Sequence, residues 1–303
     1  MHVFITGASG YIGATLAAQL VSQGHHVRGL ARSERSADRL LALGAGAVRG
    51  DLAATDVLHA AAAEADAVVH AAADFTNPNM GPLEEAALGA LLAGASEGDG
   101  ARRFVYTSTT LIYGETGPQD VPEQAARDDV ASAQPFKQAG ERRVLHAAGV
   151  DAIIVRPGMV YGNGGNALLI GLMEAARQGG AAPYIGDGEN RWSGVHVEDL
   201  ADLYRRALEH GAAGEIFNAA DGRSSSMREI AEWIGQILRV PAASITLEQA
   251  TQMMGPFAQA LTHNLLVDGS RARTVLGWNP GGPSLGEEFT VGSYAVGAGP
   301  GGQ

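Results

Sequence analysis

The stretch His2-Val3-Phe4-Ile5-Thr6-Gly7-Ala8-Ser9-Gly10-Tyr11-Ile12-Gly13 decides how this chain of 303 residues folds. Residues 3–6 form a short apolar run of the length expected for a buried strand. Glycines then recur at 7, 10 and 13, and the sequence passes directly into residues 14–22, rich in Ala and Leu at helical spacing. Strand, glycine turn and helix in that order build a phosphate cradle. Glycine allows the tight turn, lets the backbone approach a pyrophosphate, and lets the helix lie close on the strand. The amides that open the helix face the phosphates, with the positive end of its dipole behind them. Gly7, Ser9, Gly10, Tyr11, Ile12 and Gly13 are therefore expected to hold the pyrophosphate of a dinucleotide. A glycine turn without a ligand is the bland alternative, and the motif's place at the head of repeated strand–helix units weighs against it.

Working outward, apolar runs at 26–30, 47–49, 67–70, 104–107 and 152–156 alternate with helical patterns such as 82–95. This alternation predicts an α/β fold, a Rossmann-type doubly wound parallel sheet. Beyond Pro157 it breaks into glycine-rich loops at 162–165 and 186–188 and further helices. One of these helices opens on Ser226-Met227-Arg228-Glu229, a capping box. The expected organisation is a mainly dinucleotide-binding domain over 1–157, a smaller and interleaved C-terminal substrate lobe over 158–296, and a flexible tail over 297–303.

The second strand ends Gly29-Leu30-Ala31-Arg32-Ser33, without the carboxylate that would hold the ribose hydroxyls of NAD. Arg32, with Ser33 beside it, can pair with a 2′-phosphate through its planar fork, so NADPH is expected, with NADH as the alternative. A solvated surface arginine is the competing reading. The net charge of −12 leaves no basic footprint for nucleic acid, so no such partner is expected. Cysteine is absent, which removes disulfides and thiolate chemistry. No signal-peptide pattern or membrane-spanning run is evident, so a cytoplasmic protein without a membrane partner is expected. Lys137 is the only lysine in the chain.

The motifs together resemble the extended short-chain dehydrogenase/reductases, the NAD-dependent epimerase/dehydratase family. They are Thr6-Gly7 through Gly13; Gly50-Asp51-Leu52; Val69-His70-Ala71-Ala72-Ala73; Tyr106-Thr107-Ser108-Thr109-Thr110-Leu111-Ile112-Tyr113-Gly114; Arg156-Pro157-Gly158-Met159-Val160-Tyr161-Gly162; Val195-His196-Val197-Glu198-Asp199; and Leu276-Gly277-Trp278-Asn279-Pro280. The resemblance implies that Asp51 and Leu52 flank the adenine, that Ala71, Ala72, Ala73 and Pro157 line the cofactor, and that Thr109, with Ser108, holds the substrate carbonyl. It also implies a Tyr-x-x-x-Lys pair. Here Lys137 and the following Glu141 stand in register, but the tyrosine position is Ala133, and no tyrosine in the chain has a lysine four residues later. In the family this lysine bonds the nicotinamide ribose and lowers the tyrosine pKa. Only the ribose role can survive here, and an exposed helix lysine is the bland alternative. The family's Asn three residues before Gly89 is Ala86.

Oxidation of an alcohol needs a positioned base, which Ala133 cannot be. Ketone reduction is less demanding, because the alkoxide formed can take a proton from water, a hydroxyl or the substrate. An NADPH-dependent ketoreductase is thus expected, with Thr109, Ser108 and Lys137 as its site. The losses resemble atypical family members that reduce aromatic polyketides in actinomycete antibiotic pathways, which implies an aromatic ketone substrate. Met159, Trp192, Met253, Met254 and Phe257 are its candidate contacts, with helical core packing as the simpler reading of each. Two rivals stand beside this: a sugar-nucleotide epimerase or dehydratase using Tyr113 or Tyr161 as base, and a non-catalytic dinucleotide sensor. No metal is expected, and either a monomer or a homodimer through the helices near 82–95 and 136–148.

Overall fold

The computed structural model describes residues 1–73, 77, 79–97, 100–125 and 134–297; Ala133 and most of the expected tail, 298–303, lie outside the described residues. Strands and helices alternate through the first half: β1 His2–Thr6, α1 Tyr11–Ser22, β2 His26–Ala31, α2 Glu34–Ala42, β3 Gly46–Arg49, α3 Thr55–Ala63, β4 Ala67–His70, α4 Met80–Ala95, β5 Arg102–Thr107, α5 Pro135–Leu145 and β6 Val150–Pro157. All six expected strands are present, and β1, β2, β3, β5 and β6 extend one to three residues further than their apolar runs. The second half comprises β7 Met159–Tyr161, α6 Ala167–Gly179, β8 Ala182–Ile185, β9 Arg191–His196, α7 Val197–His210, β10 Ile216–Ala219, β11 Ser224–Ser226, α8 Met227–Leu238, β12 Ala242–Ile245, α9 Leu247–Met254, α10 Ser270–Leu276, α11 Leu285–Thr290 and α12 Ser293–Gly297.

Seven strands form one sheet in the order β10-β6-β5-β4-β1-β2-β3, and every pairing in it is parallel. Side chains alternate across it as a pleat requires. Val3, Ile5, Val69, Val105 and Val155 face one core with α1 and α7. Phe4, Val68, Phe104, Tyr106 and Ile154 face the other with α3, α4 and α5. Both faces are therefore covered by helices, which is why these strands read as unbroken apolar runs. The strand order reverses between β1 and β4, and ligands of such sheets bind outside the strand ends at that switch point.

The second half is threaded back into the first. β10 joins the sheet edge beside β6, with Phe217 opposite Val155, and the buried face of α7 joins the first core together with Trp278. The remaining strands form a three-stranded sheet β11-β9-β7 and the pair β12-β8, around a core containing Met159, Leu169, Met173, Trp192, Ile230 and Phe289. Ser226 and Glu229 form the capping box at the start of α8. Among the described residues, no helix is long and apolar enough to cross a membrane.

Candidate functional site

The glycine turn is shaped by contacts that no side chain could share. Gly7 adopts φ +74°, and a Cβ built on it would lie 2.8 Å from the Ala72 amide nitrogen. A Cβ on Gly13 would lie 2.2 Å from the Gly7 carbonyl oxygen, so the first turn of α1 rests directly on the loop. No side chain caps the start of α1, which leaves its opening amides and dipole directed at the end of β1, where an anion is stabilised. Gly7, Ser9, Gly10, Tyr11, Ile12 and Gly13 are brought together here. The Tyr11 hydroxyl points away from the loop and donates to the Gly162 carbonyl at 2.8 Å, so this residue offers a ligand its backbone.

Around the turn lie the other residues expected to meet a dinucleotide. Arg32 follows β2 directly and is exposed, and Ser33 caps α2 by accepting the Ser36 amide. Asp51 sits after β3, where its Oδ1 accepts the amides of Ala53 and Ala54 at 2.9 and 3.2 Å. Leu52 packs at the edge of the second core. Ala71, Ala72 and Ala73 follow β4, and the amide of Ala72 donates to the Thr6 hydroxyl at 3.3 Å. Pro157 ends β6 and is buried. The Cβ-free cradle and the uncapped helix start fit a pyrophosphate, and the other residues stand at the ends of β2, β3, β4 and β6 in the same sheet.

At the end of β5 the chain places two hydroxyls in succession. Ser108 is buried, and its Oγ has no hydrogen-bond partner, an uncommon state for a buried polar group and one that a ligand would relieve. The Thr109 Oγ accepts the Leu111 amide at 3.2 Å and caps the short 3-10 turn Thr110–Tyr113. Accepting that amide occupies one of the hydroxyl's two lone pairs and does not use its proton. These are the features required of a pair that polarises a carbonyl.

Lys137 is not the exposed helix lysine of the bland reading. It is only 3 % exposed, and its ammonium donates to Glu84 Oε1 on α4 at 2.8 Å. The same oxygen accepts the Tyr106 hydroxyl at 2.6 Å, and Oε2 accepts His70 Nε2–H at 3.1 Å. The His70 Nδ1 meets the Thr6 hydroxyl at 2.7 Å. Burial works to raise the Glu84 pKa, but His70 and Lys137 outweigh it and hold the carboxyl well below the usual range. Burial lowers the Lys137 pKa, with Glu84 opposing. Sequence reasoning missed Glu84, His70 and Tyr106. The one available signal was that Glu84 falls in register with buried Ala87, Leu88 and Leu91 on α4, an unusual place for a carboxylate. Ala86, where the family has Asn, is exposed.

Two expectations are corrected by burial. Tyr113 donates to Asn218 Oδ1 at 2.9 Å and accepts from Arg156, while Tyr161 donates to Asp221 Oδ2 at 2.7 Å. Both phenols are buried and their pKa values raised, chiefly by desolvation, so neither is poised as a base. Of the proposed substrate contacts, Met159 and Trp192 are core residues, and the Trp192 indole is spent on the His263 carbonyl at 3.0 Å. Met254 and Phe257 are half-buried against that core, and Met253 is 54 % exposed.

The profile of the NAD dependent epimerase/dehydratase family matches residues 3–220. The chain is 34% identical to the uncharacterized protein YLL056C of Saccharomyces cerevisiae, over 92% of this chain and 95% of that one. It is 30% identical to the 4-hydroxy-2-methyl-3-oxo-4-farnesyl-3,4-dihydroquinoline-1-oxide ketoreductase of Stigmatella aurantiaca, over 75% of this chain and 70% of that one. In fold it is similar to a UDP-glucuronic acid 4-epimerase from Bacillus cereus solved with UDP-glucuronic acid and NAD. That likeness has a TM-score of 0.79 and 20% identity, over 98% of this chain and 99% of that one.

Proposed function

The chain belongs to the NAD-dependent epimerase/dehydratase family, and from that premise we propose that it is an NADPH-dependent ketoreductase acting on a flat, aromatic polyketide-like ketone. The observation that carries this reading is the state of the phenols. The family's tyrosine position is Ala133. Of the chain's seven tyrosines, Tyr184 stands apart on β8 in the second half, its ring beside the Arg228 guanidinium. The hydroxyls of the other six, Tyr11, Tyr106, Tyr113, Tyr161, Tyr204 and Tyr294, all donate to acceptors inside the fold. Burial raises the pKa of each of these six. Epimerisation and dehydration begin by removing a proton from an alcohol, and these phenols offer no ready base for it. Reduction runs the other way and creates its own base.

NADPH, when bound, supplies the hydride. The cradle of Gly7, Gly10 and Gly13 holds the pyrophosphate, Arg32 meets the 2′-phosphate, and Asp51 and Leu52 flank the adenine. Ser108 and Thr109 donate to the substrate carbonyl, and that bond strengthens as negative charge develops on its oxygen. The proton for the alkoxide comes from water or from a phenolic hydroxyl of the substrate itself. Lys137 meets the nicotinamide ribose. Met253, Met254 and Phe257 border the substrate, and the 3-oxo-dihydroquinoline-1-oxide for which the Stigmatella aurantiaca relative is named is of the kind they would accept.

Following NADPH absorbance with a panel of quinones and aromatic ketones, beside UDP-sugars, tests the proposal. Consumption with aromatic ketones and no change in the sugars is expected. Sugar epimerisation, or NADPH binding without oxidation across the panel, overturns it.

A further inference from the structure

We propose that Glu84 is a positioning residue for Lys137: a buried carboxylate that holds the chain's only lysine in place at the site and keeps it charged. The proposal rests on the cofactor reading above for the lysine's purpose, but not for the pairing itself, which stands on geometry.

Glu84 is 1 % exposed and receives three donors: the Lys137 ammonium and the Tyr106 hydroxyl on Oε1, and His70 Nε2–H on Oε2. The donors come from three elements, α5, β5 and β4, so the carboxylate is fixed by the scaffold and not by one flexible partner. The ring of Tyr106 lies under the ammonium, 4.8 Å from its centroid, and Phe136 lies at 5.5 Å, which adds cation–π attraction for a charged lysine. The remaining anion near Lys137 among the described residues is Glu141, and it is engaged by Arg156 through two bonds of 2.8 and 2.7 Å. Glu84 is thus the carboxylate to which Lys137 is bound directly.

The arrangement follows from what burial demands. A lysine taken out of water loses its proton unless an anion faces it. A neutral amine bonds a ribose hydroxyl less strongly than an ammonium does, because the charge-assisted bond is lost. The network also extends from Glu84 through His70 to the Thr6 hydroxyl, which accepts the Ala72 amide. The lysine is therefore tied to the floor of the glycine turn, so that its position and that of the pyrophosphate cradle are set together.

Because Lys137 is the only lysine, ε-13C-lysine labelling gives one side-chain resonance, and its pH titration reads this group alone. In the wild-type protein it is expected to titrate below a free lysine, because burial opposes the charge, and above the Glu84→Gln variant, because Glu84 supports it. Buried lysines without a counterion titrate at roughly 5–6, so titration below pH 7 in the wild type overturns the proposal without any variant. In Glu84→Gln, which keeps shape but removes the charge, the titration is expected to move down by at least about one unit, a tenfold change in proton affinity. NADPH affinity should then fall as pH rises through the new midpoint, while the wild type stays flat over the same range. Glu84→Asp should restore most of the wild-type titration. A resonance that titrates identically in wild type and Glu84→Gln overturns the proposal. A shifted titration with no effect on NADPH affinity at any pH supports the pairing and instead removes Lys137 from the cofactor site.

Discussion

Replacing Gly13 by Ala tests the cradle most directly. The new Cβ would stand 2.2 Å from the Gly7 carbonyl oxygen, 2.7 Å from its carbon and 2.9 Å from the Ala8 Cα. Ordinary contact begins at 3.4 Å, so the first turn of α1 must retreat by 3.4 − 2.2 = 1.2 Å, and because all three neighbours are backbone no rotamer change relieves the clash. Overpacking of this kind costs about 1–3 kcal/mol, and the better helix propensity of alanine returns about 1 kcal/mol. The net loss of stability is therefore small, about 0–2 kcal/mol. Binding suffers more. Opening amides at a hydrogen-bonding distance of about 2.9 Å from a phosphate would move to about 4.1 Å, beyond bonding range. Each such bond to a charged group is worth about 1.5–3 kcal/mol, so losing even one raises the NADPH Kd by about tenfold or more. Fluorescence titration with NADPH, paired with a thermal melt, reads both quantities. Gly171→Ala is the control: it is exposed on α6 with nothing within 4 Å of the new Cβ, so it should gain about 0.5–1 kcal/mol and leave binding alone. A folded Gly13→Ala protein that binds NADPH within about twofold of wild type would refute the placement of the pyrophosphate.

Arg32→Ala should raise the Kd for NADPH by about tenfold or more through loss of charge-assisted bonds and leave that for NADH unchanged; parallel titrations check it, and equal losses for both cofactors would count against the 2′-phosphate role. Ser108→Ala removes a hydroxyl with no partner, so the thermal melt should hold while turnover falls. Thr109→Ala should lose about 0.5–2 kcal/mol with its cap and about a hundredfold in kcat; unchanged turnover in both variants would remove these hydroxyls from the mechanism. Stability should also respond to acid through Glu84. Its folded pKa lies below the unfolded value of 4.5, so its contribution is full above that value and is lost as pH falls toward the folded pKa. Melting curves from pH 6 downward should show a steeper decline in wild type than in Glu84→Gln.

What the sequence revealed, and what it hid, follow from the range of each interaction. The strands were legible because a sheet covered on both faces demands unbroken apolar runs such as Ala67–His70, buried at every position. The glycine turn was legible because its constraint is local: positions 7, 10 and 13 touch one another. β10 was not anticipated, since Ile216–Ala219 is short and its place beside β6 depends on a crossover from the second half. Glu84 was hidden for the same reason, as its partner Lys137 is 53 residues away and Glu84-Glu85 reads in sequence as one solvated pair. Only the register of α4 turns one carboxylate inward. Trp192 and Met159 look alike as pocket or core, and the choice is made by the Met173, Leu169 and Phe289 side chains that share their cluster.

The paired lysine also predicts what happens when the family's tyrosine is put back. Ala133→Tyr recreates Tyr-x-x-x-Lys in sequence, yet it should not confer alcohol oxidation. A lysine lowers a neighbouring phenol's pKa by its positive charge, and here that charge faces Glu84 at 2.8 Å, so the pair presents little net field to a third group. The helix carrying Lys137 begins at Pro135, and Gln134 before it is non-helical, with φ −140° and ψ 66°. Proline favours this position because it lacks an amide hydrogen, and it disfavours helical backbone in the residue before it. Lys137 therefore lies in the first turn of α5. The assay is reduction of NADP by the alcohol product of the enzyme's own reaction. Turnover in Ala133→Tyr should stay at the wild-type background. Oxidation at a rate near that of ketone reduction would show that the lysine field is not spent on Glu84, and that the lost tyrosine alone set the direction of the chemistry.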